Sequence, residues 1–342
     1  MRSRCTAAAL PLQRQCGGVA AISGTPSRKD KKGWNQSKLF KRAFSIDVDI
    51  EFLGVWDTVC SVGFFPRRLP FTLSNTNVRY FRHAIALDEH RARFQPNFWS
   101  WPTPDELKLG VQPGEMPKSH RRTSSRHKSL REFEKEDVDR GSCVTQVEEV
   151  WFAGCHRDVG GGALGNNARH SLARIPLRWM IRQCFLVDTG ILFHADMLRL
   201  VGLDHTTLHP HVLPRPAPLL QLPRESQHNT TQTSLPLVPA ECDFRSEEEE
   251  DLLDALTEPV NDQLKHAKLW WILEILPQQL HFQDKANKWV KKLEVHLGRP
   301  RIIPRQSSQG VKMHRTVKIR MQAMVYKHLA KLKPTTVPTW VD

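Results

Sequence analysis

The clearest signal along the chain is a change of hydrophobic period. In FSIDVDIEFLGVWDTV (44–59), Ile46, Val48, Ile50 and Phe52 alternate with Asp47, Asp49 and Glu51. The pattern then runs almost continuously through Leu53, Val55 and Trp56. Alternation that turns continuous predicts a strand entering a buried sheet and ending near Asp57. TQVEEVWFAG (145–154) predicts a second strand that ends just before His156. Between them, RYFRHAIALDEHRARF (79–94) sets Phe81, Ala84, Ile85 and Leu87 at helical spacing and predicts a short helix.

SLARIPLRWMIRQCF (171–185) predicts another helix. Leu172, Ile175, Trp179, Met180 and Cys184 share one side, while Arg174, Arg178 and Arg182 line another that reads as a solvated face. Pro176 puts its start near Ile175, because proline is tolerated only in the first turn, or kinks the helix if it begins at Ser171. FRSEEEEDLLDAL (244–256) predicts a helix with Ser246 as N-cap and Glu249 completing a capping box. Its acids sit where the helix dipole favours them. QLKHAKLWWILEILP (263–277) is apolar enough to be expected to pack on the body, and 315–332 reads as a basic amphipathic helix.

These elements divide the chain into a basic head (1–43), a folded α/β body (44–200) with a flexible insertion at 105–142, a proline-rich linker (201–243) and a helical carboxyl-terminal extension (244–342) packing on the body. Composition agrees: 39% hydrophobic residues and 23 prolines in 342 residues imply a core interrupted by long loops. The net charge of +14 makes acidic proteins and anionic membrane surfaces plausible partners. Much of the excess falls in the head and in KSHRRTSSRHKSLR (118–131), with no stacking aromatics interleaved, so no specific nucleic-acid site is expected. Seven scattered cysteines without a CxxC pair point to a reducing compartment and a cytoplasmic location. No apolar stretch is long enough for a transmembrane span.

Candidate chemistry centres on WFAGCHRDVGGGALG (151–165). Gly160, Gly162 and Gly165 fit G-x-G-x-x-G with Asp188 downstream, but CHRDV separates the strand from the glycines and the helix opens only near 171. Pyrophosphate needs the helix N-terminus at once, so a nucleotide site is not expected. His156 and Asp158 lack a third metal ligand, and the prolines of DHTTLHPH argue against a preorganised site at Asp204, His205, His209 and His211. No cofactor or metal is therefore expected. Asp57 and His156 both fall at carboxyl ends of strands, in the order Asp then His that follows the serine in α/β-hydrolases. A turn-capping Asp57 and a satisfied, half-buried His156 explain the same spacing, which leaves both readings open.

GVWDTV (54–59), HAIALDEHRARFQPNFW (83–99), EVWFAGCHRDVGGG (149–162) and LARIPLRWMIRQC (172–184) resemble the catalytic domain of type VI secretion lipase-effector-like proteins, an α/β-hydrolase family. Weaker likeness continues through LWWILEILP, GRPRIIP and MHRTVKIRM. The resemblance implies a phospholipase- or esterase-like fold, a lipid or ester substrate and a Ser-His-Asp triad. Asp57 would be its acid, His156 its base and Asp158 a further polar site residue, with His314 as the alternative base. The chain departs from the family at the nucleophile. It contains no G-x-S-x-G: Ala163 occupies the middle of Gly161–Gly165, Gln112 that of Gly110–Gly114, and Ser45 has no flanking glycines. The resemblance thus implies a partial α/β-hydrolase-like sheet with flanking helices, lacking the first strands and the nucleophile elbow. That describes an amino-terminally truncated or degenerate member, inactive as given. The alternative is a non-catalytic basic protein that binds acidic partners or lipid headgroups.

Overall fold

The computed structural model describes residues 50–59, 78–100, 145–165, 168–221, 244–257, 260–283, 289–306, 310–324 and 326–342. The head and the 105–142 insertion lie outside the described residues, as do Ser45 and the 118–131 basic cluster. The described residues form a mixed α/β fold around a five-stranded parallel sheet, in keeping with a partial α/β-hydrolase-like architecture. Its strands are β1 (Ile50–Trp56), β2 (Val78–Ala86), β3 (Gln146–Phe152), β6 (Lys312–His314) and β7 (Thr339–Val341), side by side in that order. All neighbouring pairs are parallel, so the carboxyl ends of β1, β2 and β3 open on one edge.

Both faces of the sheet are covered. Ala84, Ala86, Val150 and Phe152 pack with Ile175, Trp179 and Met180 of α2 (Arg174–Leu186) and with Leu252 of α4 (Glu247–Ala255). Ile85, Trp151 and Met313 point the other way, into a second cluster with Leu87, Ile303 and Val317. This accounts for the segment 79–94, whose spacing predicts a helix but which is strand β2 as far as Ala86. A strand buried on both faces has no polar side to alternate, and its apolar run imitates helical spacing.

Three further expectations are corrected. Arg178 and Arg182 of α2 are buried, not solvated. Arg178 reaches Asp251 at 2.7 Å and Asp254 at 2.7 Å, Arg182 pairs with Glu247, and Arg215 joins Asp251 at 2.9 Å. The acidic run of α4 is thus an inward-facing charge ladder as well as a capped helix, Ser246 Oγ accepting from the Glu249 N–H at 3.1 Å. The segment 244–342 is not helical alone: besides α4 it holds α5 (Gln263–His266), α6 (Trp270–Ile275), α7 (Arg315–Ala323), the antiparallel hairpin of β4 (Gln278–Gln283) and β5 (Trp289–Glu294), and strands β6 and β7. Each of the last two is only three residues long, too short to show a period. Finally, 263–277 leaves Leu269, Ile272 and Ile275 exposed instead of packing them on the body. No helix among the described residues is long and apolar enough to cross a membrane.

Candidate active site

The parallel ladder delivers Asp57 to the sheet edge. Val55 and Trp56 pair with His83 and Ala84, and the Asp57 N–H extends the ladder to the Ala84 carbonyl at 2.7 Å. There the backbone turns into the left-handed region at φ +41°, a conformation that aspartate tolerates better than most residues. His83, inside β2, secures the turn: its Nε2 accepts the Thr58 N–H at 3.1 Å, while Nδ1 lies 3.3 Å from Glu149.

The Asp57 carboxylate has no solvent exposure and is fully engaged. Oδ1 accepts from the Ala86 N–H at 2.9 Å and from Arg301 at 2.6 Å. Oδ2 accepts from Arg301 at 3.0 Å and lies 2.7 Å from His156 Nδ1. Burial pushes the carboxyl up, but the Arg301 charge and the His156 and Arg301 hydrogen bonds outweigh it and hold the group well below the usual carboxylate range. Asp57 is therefore a carboxylate that can only accept, so the His156 proton facing it sits on Nδ1. A neutral ring then has its lone pair on Nε2, which no described residue occupies.

His156 comes from the end of β3, as the first residue of α1 (His156–Gly160). Gly154 makes the approach possible: its φ is +109°, and a Cβ there would lie 2.5 Å from the Asp158 Cβ. Asp158 occupies the third position of the helix and is buried. Its Oδ2 accepts the Cys155 and Asn261 N–H groups, each at 2.9 Å, and burial raises its carboxyl above the usual value. The structure therefore brings Asp57 and His156 together and engages Asp158 in holding the turn that presents the histidine. His314 lies at the end of β6, fully buried and stacked on Phe152, with Nδ1 2.9 Å from Thr316 Oγ1. Burial lowers it to about 3, which keeps it neutral.

The His156 ring is half-buried, with the edge of Phe94 at 4.9 Å between centroids, and Phe94 in turn meets Trp270 at 5.5 Å. The Arg91 guanidinium lies 3.5 Å from the centre of the Phe94 ring. Glu89 ties this group to the helix start, accepting from the His156 N–H at 3.2 Å and from the Arg91 guanidinium at 2.8 and 3.0 Å. Sequence reasoning missed Arg301, Glu89 and His83. LDEHR and GRPRIIP contain two of them, but nothing local says that Arg301 returns to Asp57. One grouping among the described residues offers metal-ligand atoms within 4.8 Å of one another, His170 with Glu250 and Asp254. Arg169 and Arg178 already pair with its carboxylates, so it reads as part of the ion-pair ladder.

Comparison with known proteins bears on this geometry. Residues 14–183 match the family described as T6SS, phospholipase effector Tle1-like, catalytic domain. The match contains Asp57 and His156, and it begins at residue 14, inside the segment expected to be a basic head. An uncharacterised protein of Saccharomyces cerevisiae is 24% identical over 404 residues, an alignment covering 88% of this chain and 58% of the relative. The chain thus spans less than two thirds of the curated relative's length. No solved structure matches it significantly.

Proposed function

From the match of residues 14–183 to a phospholipase-effector catalytic domain, we propose that this chain carries the acid–base half of a site for hydrolysing carboxylic esters of phospholipids. The observation that carries the reading is the 2.7 Å contact between the buried, Arg301-held carboxylate of Asp57 and Nδ1 of the half-buried His156. In an ester hydrolase, Nε2 takes the proton of the attacking hydroxyl and later passes it to the leaving alcohol, while the aspartate fixes the tautomer and stabilises the imidazolium. Asp57 and His156 have the contacts that this work requires. The lipid-ester class follows from the family.

The chain alone turns over no ester in this proposal, because it contains no G-x-S-x-G to hold a serine in the strained turn beside an oxyanion hole. An oxyanion donor alone is worth about 10²–10³ in rate, and triad members act as a unit. The test is an assay of the purified chain on p-nitrophenyl butyrate and on phosphatidylcholine vesicles, together with fluorophosphonate labelling. Rates at the buffer background and no labelled serine are expected. A labelled serine whose reactivity disappears in His156→Ala would overturn the inactivity and keep the ester site. Nitrogen NMR placing the His156 proton on Nε2 at neutral pH would overturn the acid–base reading itself.

A further inference from the structure

Helix α6 is amphipathic in the inverted sense. Its inward residue is charged: Glu274 is 1% exposed and accepts the Ala92 N–H at 2.6 Å, the Gly298 N–H at 2.9 Å and a bond from His296 Nδ1 at 2.9 Å. Its outward residues are aliphatic. Leu269, Ile272 and Ile275, spaced three apart, are 76%, 58% and 62% exposed. Leu297, whose N–H donates to the Glu274 carbonyl at 3.2 Å, adds a neighbour that is 54% exposed. The three bonds to Glu274 fix this orientation, because rotating the helix inward would strand a buried carboxylate and three donors. A stripe of large aliphatic side chains held in water needs an apolar partner.

Charge identifies the partner. Lys265, on α5, and Lys268, on the turn leading into the stripe, lie exposed, and Lys291 is exposed on the neighbouring hairpin. Over the described part of 263–299 the acids are Glu274, buried on His296, and Glu294, paired with Lys292 and Arg299. Lys265 pairs with Asp262 at 3.3 Å, whereas Lys268 and Lys291 meet no acid among the described residues. An aliphatic stripe bordered by such lysines matches acyl chains beneath anionic headgroups. The stripe also adjoins the site: Trp270, at the start of α6, packs on Phe94, which packs on His156. We propose that the outer face of α6, from Leu269 to Ile275 with Leu297, docks on an anionic phospholipid surface and sets His156 beside it. The inference deepens the lipid-ester reading and rests on it for the choice of surface, but docking itself needs no turnover.

The test uses the full chain in flotation with vesicles of ether-linked phosphatidylcholine and phosphatidylserine, which cannot be hydrolysed at an acyl ester. Wild type should float with them. Ile272→Ser/Ile275→Ser, at exposed positions and checked by circular dichroism and melting temperature, should bind at least about tenfold more weakly, since two branched aliphatic side chains leave the bilayer. Lys268→Gln/Lys291→Gln should lose roughly fivefold per lysine on anionic vesicles and nothing on neutral ones. Wild type that stays unbound, or an isoleucine variant that floats like wild type, overturns the inference. So does a wild-type dimer that the isoleucine variant makes monomeric while neither form floats, because a second copy then covers the face. Binding that persists where the His156 tautomer is found on Nε2 counts against the ester reading and leaves docking standing.

Discussion

Arg301→Met is the sharpest perturbation of the site. It keeps the length of the side chain and removes the cation from a pair in which neither partner has solvent exposure. Asp57 would keep the Ala86 N–H and His156 and lose two guanidinium bonds at 2.6 and 3.0 Å. Removing one partner of a buried pair costs about 3–5 kcal/mol. At roughly 2–4 °C per kcal/mol for a chain of this class, the melting temperature should fall by roughly 6–20 °C. The pH dependence gives the argument its direction. In wild type the folded Asp57 pKa is depressed, so its stabilisation is complete above the unfolded carboxylate range and is lost as pH falls through the folded value. In Arg301→Met, burial dominates and raises the group. The penalty is then greatest at neutral pH and relieved by protonation. The gap between the proteins should therefore be widest at neutral pH and narrow as pH falls toward the carboxylate range. Urea titrations followed by tryptophan fluorescence, with Asp57→Asn closing a double-mutant cycle, would measure it. A cost under about 1 kcal/mol, or an equal cost in the Asp57→Asn background, refutes the clamp.

Two other substitutions test the frame. Gly154→Ala puts a methyl group 2.5 Å from the Asp158 Cβ at a φ of +109°, and should cost about 2 kcal/mol or more in denaturant titration; a loss below about 0.5 kcal/mol would show that the turn gives way. His314, held neutral by burial at about 3, contributes stability that is complete above the ordinary histidine value and lost as pH falls toward 3. His314→Asn retains a helix-cap acceptor, so its stability should decline less steeply on acidification, by up to about 1.4 kcal/mol per pH unit. Parallel curves for the two proteins would remove that role.

What the sequence made legible follows the physics of each element. β1 and β3 were readable because each keeps polar residues on its entering turns, Asp47 to Glu51 and Glu148 to Glu149, before the apolar run. β2 was not, because both its faces are buried and an apolar run of that length fits either period. Ser246 and Glu249 announced α4, but the partners of its acids lie in α2, at Arg215 and at Arg315. Arg178 and Arg182 looked solvated for the same reason, since a stripe of cations is neutralised by residues about seventy positions away. At the site, Asp57 and His156 were legible from their places after strands and from the motifs around them. Arg301 and Tyr326 were not, since their function is set entirely by tertiary return of the chain.

That return explains how the edge of the sheet is held. Past the ends of β1, β2 and β3 the chain buries Asp57, Asp88 and Asp158, with Glu89 beside Asp88. Asp57, Asp88 and Asp158 are satisfied from the same distant third of the chain: Asp57 by Arg301, Asp88 by the Tyr326 hydroxyl at 2.6 Å and the Leu329 N–H at 2.9 Å, Asp158 by the Asn261 N–H. Asp88 also accepts the Gly154 N–H at 2.7 Å, which links the β2 loop to the turn beneath His156. Burial raises the Asp88 and Asp158 carboxyls, and of the three Asp57 alone is strongly lowered, because it alone is hydrogen-bonded to a guanidinium. The three tethers are thus chemically unequal. Asp88 and Asp158 are held by neutral donors, while Arg301 keeps Asp57 ionised, the state an aspartate needs in order to hold a proton on Nδ1 of the histidine beside it. Asn261, Arg301, Tyr326 and Leu329 accordingly hold the sheet edge that carries Asp57 and His156, although the matched family segment ends at residue 183.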